Sequence, residues 1–243
     1  MLMDEYADVL CSTLEHIRVS QRQAIIRSAA IISNVIAADG LVYVFGCGHS
    51  HMLAEETFYR AGGLACVAPV FYEPLMLHEG AAMSSHLEKS EGIAEKVLEA
   101  CAISERDALI CVSTSGVNAV PVELAQLVKR RGIPVIGISS DEYLTQTPHN
   151  ALGLHLQEVC DPCINNFAPH GDACLHPVGL STGIAPVSTV MSSYIIHSIL
   201  AEAVQLALDR GIDVPVYASG NVPGGAEKNR ALIERYRGRI PSL

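Results

Sequence analysis

Four consecutive residues, Ser113, Thr114, Ser115 and Gly116, have the side chains and the spacing of a phosphate-binding turn. Their hydroxyl groups can donate hydrogen bonds to phosphate oxygens, and the glycine lets the backbone approach a ligand closely. The turn contains no lysine, and the chain lacks the G-x-x-x-x-G-K-[ST] pattern of nucleoside triphosphate-binding loops. These residues favour a phosphate monoester of a small molecule. A simpler interpretation, that Ser115 only caps the following helix, stays open from this segment alone.

The elements around this turn position it at the end of a strand. Residues 108–112 form a continuous apolar run of strand length, an amphipathic helix is predicted over about 117–131, and a second apolar run covers 133–138. Two strands joined by one helix run parallel, so the turn lies at the carboxyl edge of the sheet. There the free N–H groups and the dipole of the following helix attract an anion.

A second unit of strand, glycine turn and helix lies upstream. Residues 41–45 form an apolar run that leads into Gly46 and Gly48, and a helical segment follows. The two glycines could open a dinucleotide-binding fingerprint in which Glu73 is the ribose-binding acid. His51 occupies the third glycine position of that fingerprint, however, so an NAD-dependent enzyme is only a remote alternative.

Together the two turns resemble those of the SIS (sugar isomerase) domain family, through the motifs G-x-G-x-S, S-x-S-G and G-I-P-V-I-G-I-S. Residues 168–173, 186–189 and 215–221 resemble its single-domain phosphosugar-binding branch, which is similar to the phosphoheptose isomerases. The resemblance implies a three-layer α/β/α sandwich with a five-stranded parallel sheet of flavodoxin-like type. It also implies a sugar phosphate bound at the strand ends, in a homodimer or homotetramer whose subunits help to complete the site.

The resemblance further implies roles for individual side chains. The positions that match phosphate-holding residues are Ser50, Ser113, Thr114, Ser115 and Asn118. Isomerisation between carbons 1 and 2 of a sugar phosphate needs a base that moves a proton through an enediol. The first candidate base is Glu73, and the second candidates are His78 and Glu79. Residues that could support the ligand from further away are Gly46, Gly48, His51, His170, Asp172, Ser188 and Lys228.

The function that follows is an aldose–ketose isomerase, or a related lyase or deaminase, acting on a sugar phosphate through a glutamate base. The alternative is a phosphosugar-sensing module without chemistry of its own. Sensors of this kind are usually joined to a DNA-binding domain, and the residues before the first strand read as long helix rather than as a helix-turn-helix unit. We therefore favour the enzyme.

Metal ligation is the other chemistry that the sequence allows. Cys160, Cys163 and His170 are of ligand type, but the second closely spaced pair of a zinc site is missing. His51 and Glu55 share one helix face by their spacing, which an exposed ion pair explains equally well. We expect no metal and no cofactor, with zinc as a minor alternative. We also expect the eight cysteines to be free thiols that pack as small apolar side chains.

Composition narrows the class of protein. The 243 residues carry a net charge of −10 and 49% of them are hydrophobic, which suits a buried parallel sheet and argues against a nucleic-acid-binding surface. The N-terminal region lacks the apolar core of a signal peptide, and no apolar run reaches the roughly 18 residues of a membrane span. We therefore expect a cytoplasmic protein that partners with neither nucleic acid nor membrane.

One domain is expected over the whole chain. Its predicted parts are a helical oligomerisation segment over 1–38, an α/β core over 39–210, and a C-terminal tail and helix over 211–243. Apolar positions at helical spacing predict one long helix or two in the first part, and a further helix over 188–210 with Ser188 as its N-cap. The wide apolar faces of these helices predict a homo-oligomer.

Overall fold

The computed structural model describes residues 1–243, and a parallel sheet of five strands lies at its centre. The strands are β1 Val42–Gly46, β2 Val67–Pro69, β3 Ala108–Val112, β4 Val135–Ser139 and β5 Cys163–Asn165. Their order across the sheet is β2-β1-β3-β4-β5, and every neighbouring pair is parallel. Every residue of β1, β3 and β4 is buried, which is why these strands are continuous apolar runs in the sequence.

Helices cover both faces of this sheet. They are α1 Leu2–Ser20, α2 Arg22–Ala37, α3 Met52–Thr57, α4 Ala81–Leu87, α5 Ile93–Glu99, α6 Ala119–Arg130, α7 Leu156–Val159, α8 Ser188–Asp209 and α9 Gly225–Tyr236. The most extensive helix pairs are α2 with α8 and α5 with α6. A short antiparallel ladder, β6 Ala173–Leu175 with β7 Ile184–Pro186, precedes α8. The three-layer α/β/α sandwich predicted from the sequence is confirmed.

One continuous hydrophobic core of 54 buried residues runs through the molecule. Helix α8 contributes Ile195, Ile196 and Ile199, which are completely buried, and packs along α2. By length and composition alone α8 could cross a membrane, although it contains no uninterrupted apolar run of about 18 residues. A buried core helix of a globular protein has the same composition, because it is apolar on more than one side.

Several element boundaries differ from the sequence prediction. The N-terminal segment forms two helices that meet at Gln21, which is one of the two arrangements predicted for it, and β2 is limited to three residues. The helical segment that follows the first glycine turn is short, beginning at Met52 and ending at Thr57, because residues Gly48–His51 form a tight 3₁₀ turn before α3. These differences arise at element ends, where turn geometry decides the boundary.

The prediction that Ser188 is the N-cap of α8 was wrong. Val187 is the N-cap, and Ser188 is the first helical residue. Asp172, from the distant loop before β6, takes the capping role instead. Its Oδ1 accepts hydrogen bonds from the backbone N–H groups of Val187 (3.1 Å) and Ser188 (2.8 Å), and its Oδ2 accepts one from the Ser188 hydroxyl (2.7 Å). A carboxylate at this position also complements the helix dipole.

Candidate functional site

The two predicted turns lie side by side at the carboxyl edge of the sheet. Strands β1 and β3 are direct neighbours, and Gly46 at the end of β1 pairs with Val112 at the end of β3. From these adjacent ends the chain leaves towards opposite sides, since β1 leads to β2 and β3 leads to β4. Such a reversal opens a crevice above the strand ends, which is the usual ligand site of open parallel sheets.

The first turn, residues 46–50, is shaped by its glycines. A Cβ atom on Gly46 would lie 2.6 Å from backbone atoms of Ser50, so only glycine lets the chain fold back this closely. Gly48 has a φ of +54°, in the left-handed region. The Ser50 N–H donates to the carbonyl of Cys47 at 3.0 Å, whereas the Ser50 hydroxyl has no protein partner. That hydroxyl is therefore free to donate to a ligand.

The second turn, residues 113–116, is held from within and from β4. The Ser113 hydroxyl oxygen accepts a hydrogen bond from the Gly116 N–H at 3.2 Å, and Gly116 has a φ of +63°. The Thr114 carbonyl accepts from the Ser140 N–H at 2.9 Å and from the Ser139 hydroxyl at 3.3 Å. The side chains of Thr114 and Ser115 are half-buried, and their hydroxyls have no protein partner.

The capping interpretation of Ser115 was wrong. Helix α6 begins four residues later, at Ala119, its N-cap is Asn118, and no side chain makes a capping hydrogen bond there. The backbone needs the intervening residues to turn from β3 into the helix. Ser115 is consequently a hydroxyl without a structural hydrogen bond, at the edge of the crevice.

Glu88 is the site residue that the sequence analysis missed. It follows α4, and its backbone carbonyl accepts a hydrogen bond from the Val120 N–H in the first turn of α6 at 3.0 Å. Its Oε1 accepts one from the Asn118 side chain at 3.0 Å, and its Oε2 lies 4.0 Å from where a Cβ on Gly48 would be. The Glu88 carboxylate thus lies between the two turns.

The environment of Glu88 changes its acidity. The side chain is half-buried, and burial raises its pKa above the ordinary value of 4.5, an effect that Lys89 opposes. Burial, followed by the charge of Glu88, also raises the pKa of the neighbouring Cys47 thiol. No arginine or lysine side chain makes an ion pair with Glu88. A carboxylate with a raised pKa and no cationic partner is suited to accept and return a proton.

The structure leaves the three predicted bases exposed. Glu73 begins a 3₁₀ turn after β2, and its carboxylate has no hydrogen-bond partner. The side chains of His78 and Glu79 are 63% and 53% exposed, and their polar atoms are 3.7 Å apart. The His78 ring lies 6.4 Å from the His51 ring, which places His78 beside the first turn. Their catalytic roles stay predictions.

His51 and the residues that follow it form ion-pair contacts on the face of α3. The buried His51 ring makes a hydrogen bond through Nδ1 to the Gly48 carbonyl, and its Nε2 is 3.4 Å from Glu55. Glu56 contacts both Arg60 and His197, the latter at 3.2 Å. His51 therefore braces the first turn from below.

The remaining predicted residues lie apart from the two turns. His170 is exposed and stacks on the Tyr143 ring, with 4.8 Å between the ring centroids. Lys228 is exposed on α9, and its ammonium group makes no hydrogen bond or ion pair. Cys160 and Cys163 pack against Gly137 in β4. Nowhere in the chain are three or more His, Cys, Asp or Glu side chains grouped to hold a metal ion.

Comparison with known sequences identifies a family. Residues 5–140 match the family model described as the SIS domain. A UPF0309 protein of Geobacillus thermodenitrificans (strain NG80-2) is 41% identical over 243 residues, which cover 100% of this chain and 98% of the relative. A UPF0309 protein of Listeria innocua serovar 6a is 40% identical over 243 residues, with the same coverage of 100% and 98%.

Comparison with solved structures supports the same fold. The phosphoheptose isomerase of Neisseria gonorrhoeae has a TM-score of 0.50 at 15% identity, covering 85% of this chain and 98% of that chain. The Vibrio vulnificus NanR protein, solved in complex with ManNAc-6P, has a TM-score of 0.51 at 16% identity, covering 100% of this chain and 70% of that chain. At these identities the similarity concerns the fold alone.

Proposed function

Because this chain belongs to the SIS-domain family, in the group of UPF0309 proteins, we propose that it binds a sugar phosphate at the carboxyl edge of β1 and β3 and moves a proton on the bound sugar. The observation that carries the proposal is the position of Glu88. Its carboxylate lies between two hydroxyl-bearing glycine turns, at the point where the strand order reverses. A phosphate site and a candidate base thus share one crevice.

The phosphate is held by uncharged donors. The hydroxyls of Ser50, Thr114 and Ser115 have no partner within the protein, and neither turn contains a lysine or arginine. Hydroxyl groups together with backbone N–H groups of a tight turn form an anion-binding concavity without a formal positive charge. Ser113 has a different part, because its hydroxyl oxygen accepts the Gly116 N–H and fixes the shape of the turn.

The chemistry proposed for Glu88 is aldose–ketose isomerisation. In its ionised form the carboxylate takes the proton from the carbon next to the carbonyl, and the electron pair of that C–H bond forms the carbon–carbon double bond of an enediol. The protonated Glu88 carboxyl then returns the proton to the neighbouring carbon. A hydroxyl proton moves between the oxygens on carbons 1 and 2, so that no atom is gained or lost. The Asn118 amide, which donates to Glu88 Oε1, holds the carboxylate in one orientation.

Glu88 is favoured over Glu73 because a general base near neutral pH needs a raised pKa. Burial supplies that shift at Glu88, whereas Glu73 is exposed to solvent in the single chain. The loop that carries Glu73, His78 and Glu79 borders the first turn and could still cover a bound sugar.

The first test is ligand binding by a panel of sugar phosphates. Thermal unfolding is measured with hexose, hexosamine, pentose and heptose phosphates, each beside its unphosphorylated sugar. A ligand at about 100 times its Kd adds roughly 2.7 kcal/mol of stability. We expect one class of sugar phosphate to stabilise the protein, and its unphosphorylated form to have no effect.

Two variants locate the binding site. Ser115→Ala removes a hydroxyl with no structural role and should weaken sugar phosphate binding by about 1.5–3 kcal/mol with no loss of stability. Ser113→Ala should weaken binding and also destabilise the fold, because the Gly116 N–H loses its acceptor. Unchanged affinity in both variants would contradict the assignment of the phosphate site.

A sensing module without chemistry is the second candidate. It draws on one fact, that the Vibrio vulnificus NanR protein, whose fold this chain shares, was solved with ManNAc-6P. If a sugar phosphate binds tightly at the first and second turns and is recovered unchanged after prolonged incubation with the protein, sensing replaces catalysis as the function.

Self-association also belongs to this proposal. Helix α1 exposes Met3 and Val19, and α8 exposes Val190 and Leu208, so apolar surface remains on the two helices that pack with α2. We propose that a second copy of the chain covers this surface. Light scattering after size exclusion should give a dimer or tetramer mass.

A further inference from the structure

A second cavity lies at the amino edge of the same two strands, opposite the crevice. Its volume is about 360 Å³, and it opens between the loop before β3 and the segment that follows α9. Leu41 and Asp107, which directly precede β1 and β3, line its inner end. None of the residues discussed for sugar phosphate binding lines this cavity.

The hydroxyl of Tyr43 faces the cavity without a partner. Tyr43 lies in β1, is only 4% exposed and lines the cavity wall. Its hydroxyl makes no hydrogen bond to the protein, yet it is not fully enclosed. The fully enclosed side-chain atoms without a partner belong to Gln146, Gln157 and Tyr217. The hydroxyl therefore meets open space, and Tyr43 lines this cavity. Burial, followed by the charge of Asp107, raises the pKa of Tyr43 to about 12, so the group is a neutral donor.

The charged lining of the cavity is mainly positive. Three arginines and one aspartate are its only charged lining residues, namely Arg106, Arg237, Arg239 and Asp107. This is unusual in a chain with a net charge of −10. Arg106 has no acidic partner, Arg237 is 3.4 Å from Glu234, and Arg239 is 3.2 Å from Asp39.

The single carboxylate of the lining is fully engaged by the protein. Asp107 Oδ1 accepts a hydrogen bond from the Leu41 N–H at 2.7 Å, and its Oδ2 accepts from both the N–H and the hydroxyl of Ser104 at 2.7 Å. Three donors thus disperse its charge and tie the loop before β3 to the start of β1. A ligand in the cavity finds guanidinium and phenol donors rather than a free carboxylate.

We propose that this cavity binds a small phosphorylated molecule at a site separate from the crevice. Arginine presents N–H groups in a planar fork that matches phosphate oxygens. Arg106, which has no acidic partner, and Arg237 line the cavity and can supply such forks, whereas both terminal nitrogens of Arg239 already donate to Asp39. The Tyr43 hydroxyl donates from the cavity wall. An adjoining apolar cavity of about 80 Å³, lined by Phe71 and Pro241 and sharing Tyr43, accommodates the uncharged part of the molecule.

The test measures inorganic phosphate binding with the crevice disabled. In the Ser113→Ala/Ser115→Ala variant, equilibrium dialysis with labelled phosphate should still find one site per chain. Adding Arg106→Ala and Arg237→Ala should weaken that site at least about tenfold, and Tyr43→Phe, which removes only the hydroxyl, should weaken it by about tenfold. Arg131→Ala, at an exposed arginine without an ion pair, is the matched control and should have no effect.

Two outcomes would overturn the proposal. One is that the serine variant binds no phosphate while its circular dichroism and thermal unfolding show it to be folded. The other is that the arginine and Tyr43 substitutions leave phosphate affinity unchanged. Sugar phosphate binding by the arginine variant with intact serines should equal that of the wild type, so the failure of one site can be told from the failure of the other. Citrate in place of phosphate should bind more weakly, and equal or tighter binding would contradict the phosphate assignment.

Discussion

The two ends of β1 and β3 have opposite chemistry. At the carboxyl ends the donors are hydroxyls and backbone N–H groups, and the charged side chain is the carboxylate of Glu88. At the amino ends the donors are guanidinium groups and the Tyr43 phenol, and the carboxylate of Asp107 is fully hydrogen-bonded. Five residues of each strand separate these ends, a distance of about 17 Å.

This difference follows from what each site has to do. A guanidinium group within about 4–6 Å of a carboxylate favours its ionised form and lowers its pKa. An arginine in the crevice would therefore make Glu88 a weaker base. Neutral donors can hold a phosphate and leave the raised pKa of Glu88 intact. The amino-end cavity contains no candidate base whose pKa an arginine would lower.

The largest effect is expected from Glu88→Gln. The amide keeps the shape of the side chain but cannot accept a proton from carbon, so turnover should fall by about 10²–10⁴-fold while sugar phosphate affinity stays within a few-fold. Steady-state kinetics and binding by calorimetry separate these quantities. Glu73→Gln is the matched comparison, with an expected turnover close to that of the wild type. If Glu73→Gln abolishes turnover and Glu88→Gln does not, the base lies in the loop after β2.

The next largest effect is expected from a substitution that disturbs the rigid second turn, residues 113–116. Gly116→Ala places a Cβ 2.6 Å from the Ser139 hydroxyl and 2.7 Å from Gln157 Oε1, at a φ of +63°. Gly132→Ala is a matched control, since its φ is +76° but nothing lies within 4 Å of the added Cβ. Both should lose about 1–2 kcal/mol for the left-handed backbone. Gly116→Ala should lose about 1–3 kcal/mol more, together with ligand binding.

Urea unfolding and calorimetric binding measure these losses. Equal stability of the two glycine variants would mean that the second turn relaxes easily, and that its geometry is not fixed before the ligand binds. Retained binding in Gly116→Ala would lead to the same conclusion.

A smaller effect than those of the substitutions is expected from salt, which should weaken phosphate binding to different extents at the two sites. The Debye length is about 10 Å at 0.1 M ionic strength, so added salt screens the exposed Arg106 and Arg237 of the amino-end cavity. Binding in the crevice rests on neutral, partly buried donors. Raising sodium chloride from about 0.05 M to about 0.5 M should weaken phosphate binding several-fold more at the cavity than in the crevice. The serine variant and the arginine variant isolate the two sites, and equal salt dependence would contradict the difference in their donors.

The parts of the site that are local in sequence were predictable. A buried strand followed at once by hydroxyl residues and glycine fixes both turns, and the apolar runs of β1, β3 and β4 fix the sheet that brings them together. The five-stranded parallel sheet came from resemblance to known proteins, and the structure supplies the strand order that makes β1 and β3 neighbours. Periodicity alone does not specify which strands pair.

Glu88 was not predictable, because its role depends on a contact between distant segments. The Asn118 amide that holds it is 30 residues away, and the segment after α4 is a polar stretch with no motif. The same reason applies to Asp172, whose carboxylate caps α8 from 16 residues upstream. Arg106 and Arg237 likewise meet only because the end of α9 packs beside the loop before β3.

The smallest effect is a change of stability with pH. Because burial raises the pKa of Glu88 in the folded state above 4.5, the folded protein binds its proton more tightly than the unfolded chain does. The stability contributed by this proton is fully present below about pH 4.5 and is lost as pH rises through the folded-state pKa. Glu88→Gln has no such ionisation, so its stability relative to the wild type should increase with pH across that interval and then become constant.

Urea unfolding of both proteins between about pH 4 and pH 8 measures this difference. Other carboxyls with raised pKa values, such as Glu123 and Asp141, are common to both proteins and cancel in the subtraction. The acid limb of the wild-type profile of kcat/KM should fall in the same pH interval, because the ionised Glu88 is the base. A constant difference for Glu88→Gln would mean that solvent reaches the carboxylate, and the reason for preferring it to Glu73 would be removed.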